Sequence, residues 1–288
     1  MTNSKLINSL ILAALALSGA APGAALAADA ATPASTPEHT ITGNVGFTSD
    51  YVFNGISQTF RSPAIQGGFD YVRSSGLYFG TWASNVSGNQ YTNASMEWDV
   101  YGGYNGKVSD DLGYQIGLMG VFYPGGKASS TKKWDTAEVV AGATWKGVNV
   151  KYTHTLTDWY GINTSGFAPA MWAPGDTEIP GATGASTADS AGDLSSKGSG
   201  YLEANYTLAI AEGSSITVHA GHQKIRNFSK LSYTDYKLAV NKTYAGFNIG
   251  LAYTTTNATD NNLYHVMANG DDKKLGGGIV ALSVGRSF

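Results

Sequence analysis

The sequence divides into twelve short segments in which apolar and polar residues alternate with a period of two, and the connections between them run long, short, long, short. The segments cover residues 40–55, 64–73, 77–86, 95–107, 113–123, 135–145, 148–157, 200–210, 215–223, 233–243, 247–256 and 277–288. Period two is the mark of a strand whose two faces meet different surroundings. The short connections are Ser74-Ser75-Gly76, 109–112, Lys146-Gly147, 211–214 and 244–246; the long ones are 56–63, 87–94, 124–134, 158–199, 224–232 and 257–276. An up-and-down barrel with both termini on one side of a membrane places every odd-numbered connection on the other side. Bacterial membrane barrels put long loops outside and tight turns in the periplasm. All eleven connections obey that order, and a soluble sandwich has no reason to. The expected fold is all-β, a transmembrane antiparallel up-and-down β-barrel of about twelve strands.

The facing of individual strands supports lipid outside rather than inside. In 95–107, Met96, Trp98, Val100 and Tyr104 share one face, and Glu97, Asp99, Tyr101 and Gly103 the other. In 148–157, Val148, Val150, Tyr152 and Leu156 oppose Asn149, Lys151, Thr153 and Thr155. Acidic residues, glycine and amides fill a dry core badly, so the apolar set is expected on lipid and the polar set in the lumen. Segment 77–86 is ambiguous, because Tyr78 and Trp82 oppose Leu77 and Phe79.

Composition agrees. Charged residues are 14%, below the usual quarter, while glycine numbers 37 and tyrosine 17, which suits membrane strands with aromatic girdles. The six tryptophans, Trp82, Trp98, Trp134, Trp145, Trp159 and Trp172, fall mostly near strand ends and are expected in those girdles. A sugar-binding row of aromatics would need several of them in the lumen, where Tyr101 is the clearest candidate. The absence of cysteine excludes a disulfide framework, a thiolate metal site and a cysteine nucleophile. A net charge of −3 excludes nucleic acid as a partner by charge. The apolar run 6–17 after Lys5, followed by Ala25-Leu26-Ala27, reads as a signal peptide over 1–27, cleaved on export. The expected organisation is therefore 1–27 signal peptide, 28–38 flexible lead-in and 39–288 outer-membrane barrel, its partners outer-membrane lipid and small solutes.

The last segment, with Val280, Leu282, Val284 and Phe288 on one face, resembles the sorting signal of bacterial outer-membrane barrels. Phe288 is accordingly the expected assembly signal for the barrel-insertion machinery. Arg286 breaks the apolar row, at a place where its guanidinium reaches headgroups. Residues 44–59, Asn-Val-Gly-Phe-Thr-Ser-Asp-Tyr-Val-Phe-Asn-Gly-Ile-Ser-Gln-Thr, resemble the amino-terminal motif of the TorF porin family. The resemblance continues through 63–71, 75–86, 98–104 and Phe122-Tyr123-Pro124-Gly125. Asn54 stands where that family often has a basic residue. The resemblance implies an outer-membrane barrel with no established substrate and no catalytic residues.

Function is sought in lumen charge. Alternation places Asp50, Asp70, Glu97, Asp99, Glu138, Glu203 and Asp235 inside, with Lys151 and Lys237. Seven acids against two bases favour cations in a wet pore; in a narrow barrel the same charges pair and stabilise the wall. His219 and His222, three apart, point to opposite faces and make a poor metal pair. His154 faces lipid, and Leu156 stands where a barrel phospholipase would need its serine. His265 is a solvated loop residue. No cofactor, metal or catalytic residue is expected. The expectation is a cation-preferring, porin-like channel for passive diffusion of small solutes; the rivals are a non-conducting barrel that acts as a binding or structural surface protein through its loops, and a barrel hydrolase. The long loop 158–199 is read as disordered or as a constriction.

Overall fold

In the computed structural model, which describes residues 37–128, 132–163, 194–259, 264–268 and 270–288, sixteen strands form. They are β1 (His39–Thr48), β2 (Val52–Phe53), β3 (Ile56–Ser57), β4 (Ala64–Arg73), β5 (Leu77–Asn85), β6 (Met96–Lys107), β7 (Leu112–Phe122), β8 (Thr136–Trp145), β9 (Val148–Thr155), β10 (Gly200–Ala211), β11 (Ser214–Lys224), β12 (Tyr233–Tyr244), β13 (Phe247–Thr256), β14 (His265–Ala268), β15 (Asp271–Lys274) and β16 (Ile279–Ser287). Twelve of them close into one antiparallel barrel; β2–β3 and β14–β15 are small hairpins within its loops. The signal segment 1–27, Trp172 and most of the lead-in 28–38 lie outside the described residues. The loop 158–199 is described only at 158–163 and 194–199.

Closure occurs between β1 and β16, with Asn44 opposite Ser287 and Thr48 opposite Ser283. Beyond that ladder Gly43 and Phe288 exchange both backbone hydrogen bonds, at 2.8 and 2.9 Å. An unpaired backbone polar group in hydrocarbon costs several kcal/mol, so a wall without an edge is what strands need to cross a bilayer. The exterior fits that solvent. Ile65 is 66% exposed, Leu118 61% and Phe69 59%, while Gln66, Ser84, Gln115 and Thr254 on inward positions are buried. Water-soluble monomers do not carry an apolar belt around the whole molecule. Wall strands of eight to twelve residues match the span of a tilted strand across the hydrocarbon core.

The tight turns have the local chemistry that two-residue hairpins require. Lys146-Gly147 joins β8 to β9 with φ values of 45° and 85°, the left-handed pair of a type I′ turn. Arg286 places its guanidinium 5.5 Å from the Phe247 ring, on the exterior near the seam.

Two expectations are corrected and one ambiguity is resolved. The first segment does not run as a strand to Gly55. It leaves the wall after Thr48, and Asn54-Gly55, with φ 45° and 82°, turns the chain into the β2–β3 hairpin. An Asn-Gly pair is a strong short-range hairpin signal, and the continuous alternation around this one masked it. In β5, Tyr78 and Trp82 face inward and Leu77 and Phe79 outward, which resolves the ambiguous strand. Nor do the tryptophans form one girdle. Trp98 and Trp145 are on the exterior, but Trp82, Trp134 and Trp159 are buried within the molecule. On the exterior Trp98 instead neighbours Phe122, and Tyr104 neighbours Tyr114.

Large inward rings fit because glycines sit opposite them. Gly103 and Gly117 pair across β6 and β7, and the Tyr78 hydroxyl lies over both while accepting a 3.0 Å hydrogen bond from Gln115 Nε2. A Cβ on Gly117 would stand 2.5 Å from that hydroxyl and 2.8 Å from the Gly102 carbonyl oxygen. Gly117→Val is expected to destabilise the barrel by about 1–3 kcal/mol through overpacking. Urea unfolding of the protein in lipid vesicles measures it, and an unchanged midpoint would show that the Tyr78 ring yields freely.

Candidate functional site

Eight of the nine charged candidates occupy inward positions of the wall. They are Asp70 on β4, Glu97 and Asp99 on β6, Glu138 on β8, Lys151 on β9, Glu203 on β10, and Asp235 and Lys237 on β12. Asp50 is the exception. Because β1 ends at Thr48, Asp50 lies in the loop above the wall and anchors the β2–β3 hairpin. Its Oδ1 accepts hydrogen bonds from Ser57 Oγ at 2.6 Å and Thr59 Oγ1 at 3.0 Å. Burial pushes its carboxyl above the usual carboxylate range, against the pull of those hydroxyls and of the Arg61 and Lys273 charges.

On the wall the charges form two groups. One runs across β9 to β12. Lys151 is ion-paired to Glu203, whose Oε2 lies 3.5 Å from His219 Nδ1; His219 Nε2 lies 2.9 Å from Asp235 Oδ2. Tyr201 donates to Asp235 Oδ1 at 2.9 Å, and Asn205 Oδ1 lies 2.8 Å from His219 Nδ1. Lys237 is the register partner of His219. His219 is thus the hub of a network that sequence reasoning did not assign to it. Alternation carried the signal, since Thr217, His219, Gly221 and Gln223 share the inward face. His222 points outward against Thr234 Oγ1, as the spacing of three requires. His154 and Leu156 lie on the outward side, and His265 pairs with Asp272 across the β14–β15 hairpin.

The second group lies on β4, β6 and β8. Glu97 accepts from the Tyr51 hydroxyl at 2.6 Å and from the Tyr123 hydroxyl, while Asp70 accepts from Tyr101 at 2.6 Å. Asp99 is 1% exposed, and its Oδ1 has no hydrogen-bond partner. Glu138 faces the same lumen from β8. The acids therefore outnumber the bases inside, but most are held by a tyrosine, a histidine or a lysine.

The end of the barrel bearing the long loops is filled. Tyr51, Ile56 and Phe60 of the hairpin loop pack with Trp82, Tyr91, Tyr123, Trp134 and Tyr160 from other loops and strand ends. Tyr91 stacks on Tyr123 at 4.3 Å, Trp134 meets Tyr91 edge-on at 5.4 Å, and Tyr51 meets Trp82 at 5.4 Å. Each such pair contributes about 0.5–1.5 kcal/mol beyond its burial. The Ser57 N–H donates to the Leu275 carbonyl at 2.8 Å. The Arg61 guanidinium donates to the carbonyls of Lys274 at 2.8 Å and Gly276 at 2.7 Å. Tyr51 and Leu275 are fully buried. Toward the tight turns, by contrast, Thr42, Asn44, Thr217 and Asn241 stay partly exposed on the inward face. The described residues thus make a lumen wet from the tight-turn end and closed at the long-loop end.

The ion pair gives a direct test. Lys151 and Glu203 are 13% and 10% exposed, so removing one partner strands the other. Lys151→Met is expected to cost about 3–5 kcal/mol, and Lys151→Met with Glu203→Leu to recover most of it. Urea unfolding in vesicles compares the two; equal losses would mean that water screens the pair.

Solved structures with which this chain shares its barrel outline include the KdgM porin, at 7% identity over 86% of this chain and 99% of that one, with a TM-score of 0.48. The NanC porin gives 10% identity over 85% and 98%, with a TM-score of 0.46. OprD from Pseudomonas aeruginosa gives 13% identity over 88% and 68%, with a TM-score of 0.36. No curated protein matches the sequence. A family profile does, over residues 30–288; its description names neither a solute nor TorF, and the chain belongs to this family, Gcw_chp, bacterial proteins of unknown function.

Proposed function

We propose that this chain is an outer-membrane channel through which small solutes pass passively, with a preference for cations, and that its long-loop mouth is the gate. The carrying observation is the inward row of hydrophilic side chains behind an apolar exterior. Among the inward acids, Asp99 Oδ1 has no hydrogen-bond partner, which charge pairing for stability alone does not explain. The cation preference is supported by the excess of inward acids over Lys151 and Lys237. Salt is expected to screen it, since the Debye length is about 10 Å at 0.1 M. Placement in the outer membrane is supported by the closed wall, the belt and the connection order, with the long loops outside.

A second reading has its own observation. The mouth is packed like a protein core, with Glu97 bridged to Tyr51 of the plug and to Tyr123. A barrel closed this way that binds through its loops would conduct nothing.

Bilayer recording separates the readings. The natural protein is expected to show low conductance, rising severalfold when residues 52–58 are replaced by Gly-Ser-Gly. In a salt gradient the reversal potential of that opened variant should favour cations, and Glu97→Gln with Asp99→Asn should move it toward neutral. If neither the natural protein nor the opened variant conducts, the passage reading fails; equal conductance in the two would sink the gate alone. Anion preference would sink the selectivity alone.

A further inference from the structure

The plug is not packed solid. A cleft with about 470 Å³ of atom-free space, its opening included, lies between the β2–β3 hairpin, the loop before β6, the loop before β8 and the residues after β9. Its walls include the rings of Tyr91, Trp134, Trp159 and Tyr160 and the amides of Gln58 and Gln90. Among the described residues, no charged side chain lines it.

Two of these wall residues carry buried polar atoms without a hydrogen-bond partner: Trp134 Nε1, on a residue 2% exposed, and Gln90 Oε1. The first can only donate and the second can only accept. Leaving such a group unmet costs about 1–3 kcal/mol, and these two lie on the walls of one cleft. Gln58 by contrast is satisfied, donating to the Ile56 carbonyl at 2.8 Å and accepting from the Tyr91 hydroxyl. The aromatic rings are held in place independently, by the Tyr91–Tyr123 stack and the edge-on contacts of Trp134 and Trp159.

We infer that this cleft is a binding site for a neutral sugar ring. A ligand hydroxyl both donates and accepts, so the hydroxyls of one sugar supply both the acceptor that Trp134 lacks and the donor that Gln90 lacks. The C–H face of a pyranose is apolar and lies flat on tyrosine and tryptophan rings. The uncharged wall disfavours an anion, which would be buried without a counter-charge. A quaternary ammonium suits aromatic faces, but it offers Trp134 no acceptor and Gln90 no conventional donor. The inference does not depend on solute passage, because binding at the mouth requires no conduction.

The test uses the full-length protein in detergent and ligand-observed saturation-transfer NMR. The probes are glucose, galactose, mannose and N-acetylglucosamine, with tetramethylammonium as the contrasting cation. At least one sugar is expected to bind saturably. Trp134→Phe keeps the ring and removes the donor, and should weaken that affinity about tenfold, the worth of one buried hydrogen bond. Gln90→Leu should weaken it by a similar factor, and it decides the matter if the Trp134 variant fails to fold. Failure of all four sugars, binding of tetramethylammonium alone, or equal sugar affinity in the natural protein and a folded variant would each overturn the assignment. Bilayer conductance is read separately, so a conducting protein that ignores sugars would sink this site and leave the channel standing.

Discussion

The β1–β16 ladder is the interaction on which the rest of the molecule depends. Without it β1 and β16 would each present a row of unpaired N–H and C=O groups, which hydrocarbon does not tolerate. Closure brings the two ends of the chain's barrel together, at Gly43 and Phe288. It also settles the sign of every other strand. Once the wall is closed in lipid, the apolar face must point out and the polar face in, the reverse of a soluble barrel. Phe69, Leu118 and Leu251 are exposed for that reason, and Glu97, Asp99 and Asp235 are buried.

Burying acids has a cost that the interior meets largely with tyrosine. Tyr51 and Tyr123 donate to Glu97, Tyr101 to Asp70, and Tyr201 to Asp235. Each pairing satisfies a carboxylate oxygen and at the same time lays a ring across the lumen. Glycines opposite these rings provide the room: the Tyr101 ring covers Gly80, and the Tyr201 hydroxyl reaches over Gly221. The high tyrosine and glycine content therefore serves the interior as well as the membrane interface. The other solution is the histidine network, where Lys151, Glu203, His219 and Asp235 compensate one another in sequence. Apart from Asp70, which lies level with Thr42, both devices lie mainly toward the long-loop end, while the opposite half also carries neutral hydroxyls and amides such as Thr42, Asn44 and Asn241.

The plug is a second hydrophobic core stacked on a polar one. Its residues come from segments far apart in sequence, from Tyr51 to Leu275, and they pack only because the wall holds the loop ends in a ring. This core sits over the acidic wall, and Tyr51 belongs to both, with its ring in the aromatic cluster and its hydroxyl on Glu97. Tyr123 makes the same connection, its ring stacked on Tyr91 and its hydroxyl on Glu97, so two side chains join this core to the lumen charge.

By itself the sequence determined the number of wall strands, their order, the side on which the long loops lie, and the facing of eight of the nine charged candidates. These follow from period-two alternation and turn chemistry, which are local and survive without knowledge of neighbours. Tertiary structure decided the rest. Asp50 belongs to the plug because Asn54-Gly55 turns the chain inward, and alternation alone runs straight through such a turn. Trp134 and Trp159 look like girdle residues by position, yet are buried because their loops fold over the mouth. His219 reads as an isolated histidine until β10 and β12 bring Glu203 and Asp235 to it. Which side chains meet across a lumen depends on register around a closed ring and on the packing of loops, and no periodicity within one strand contains that information.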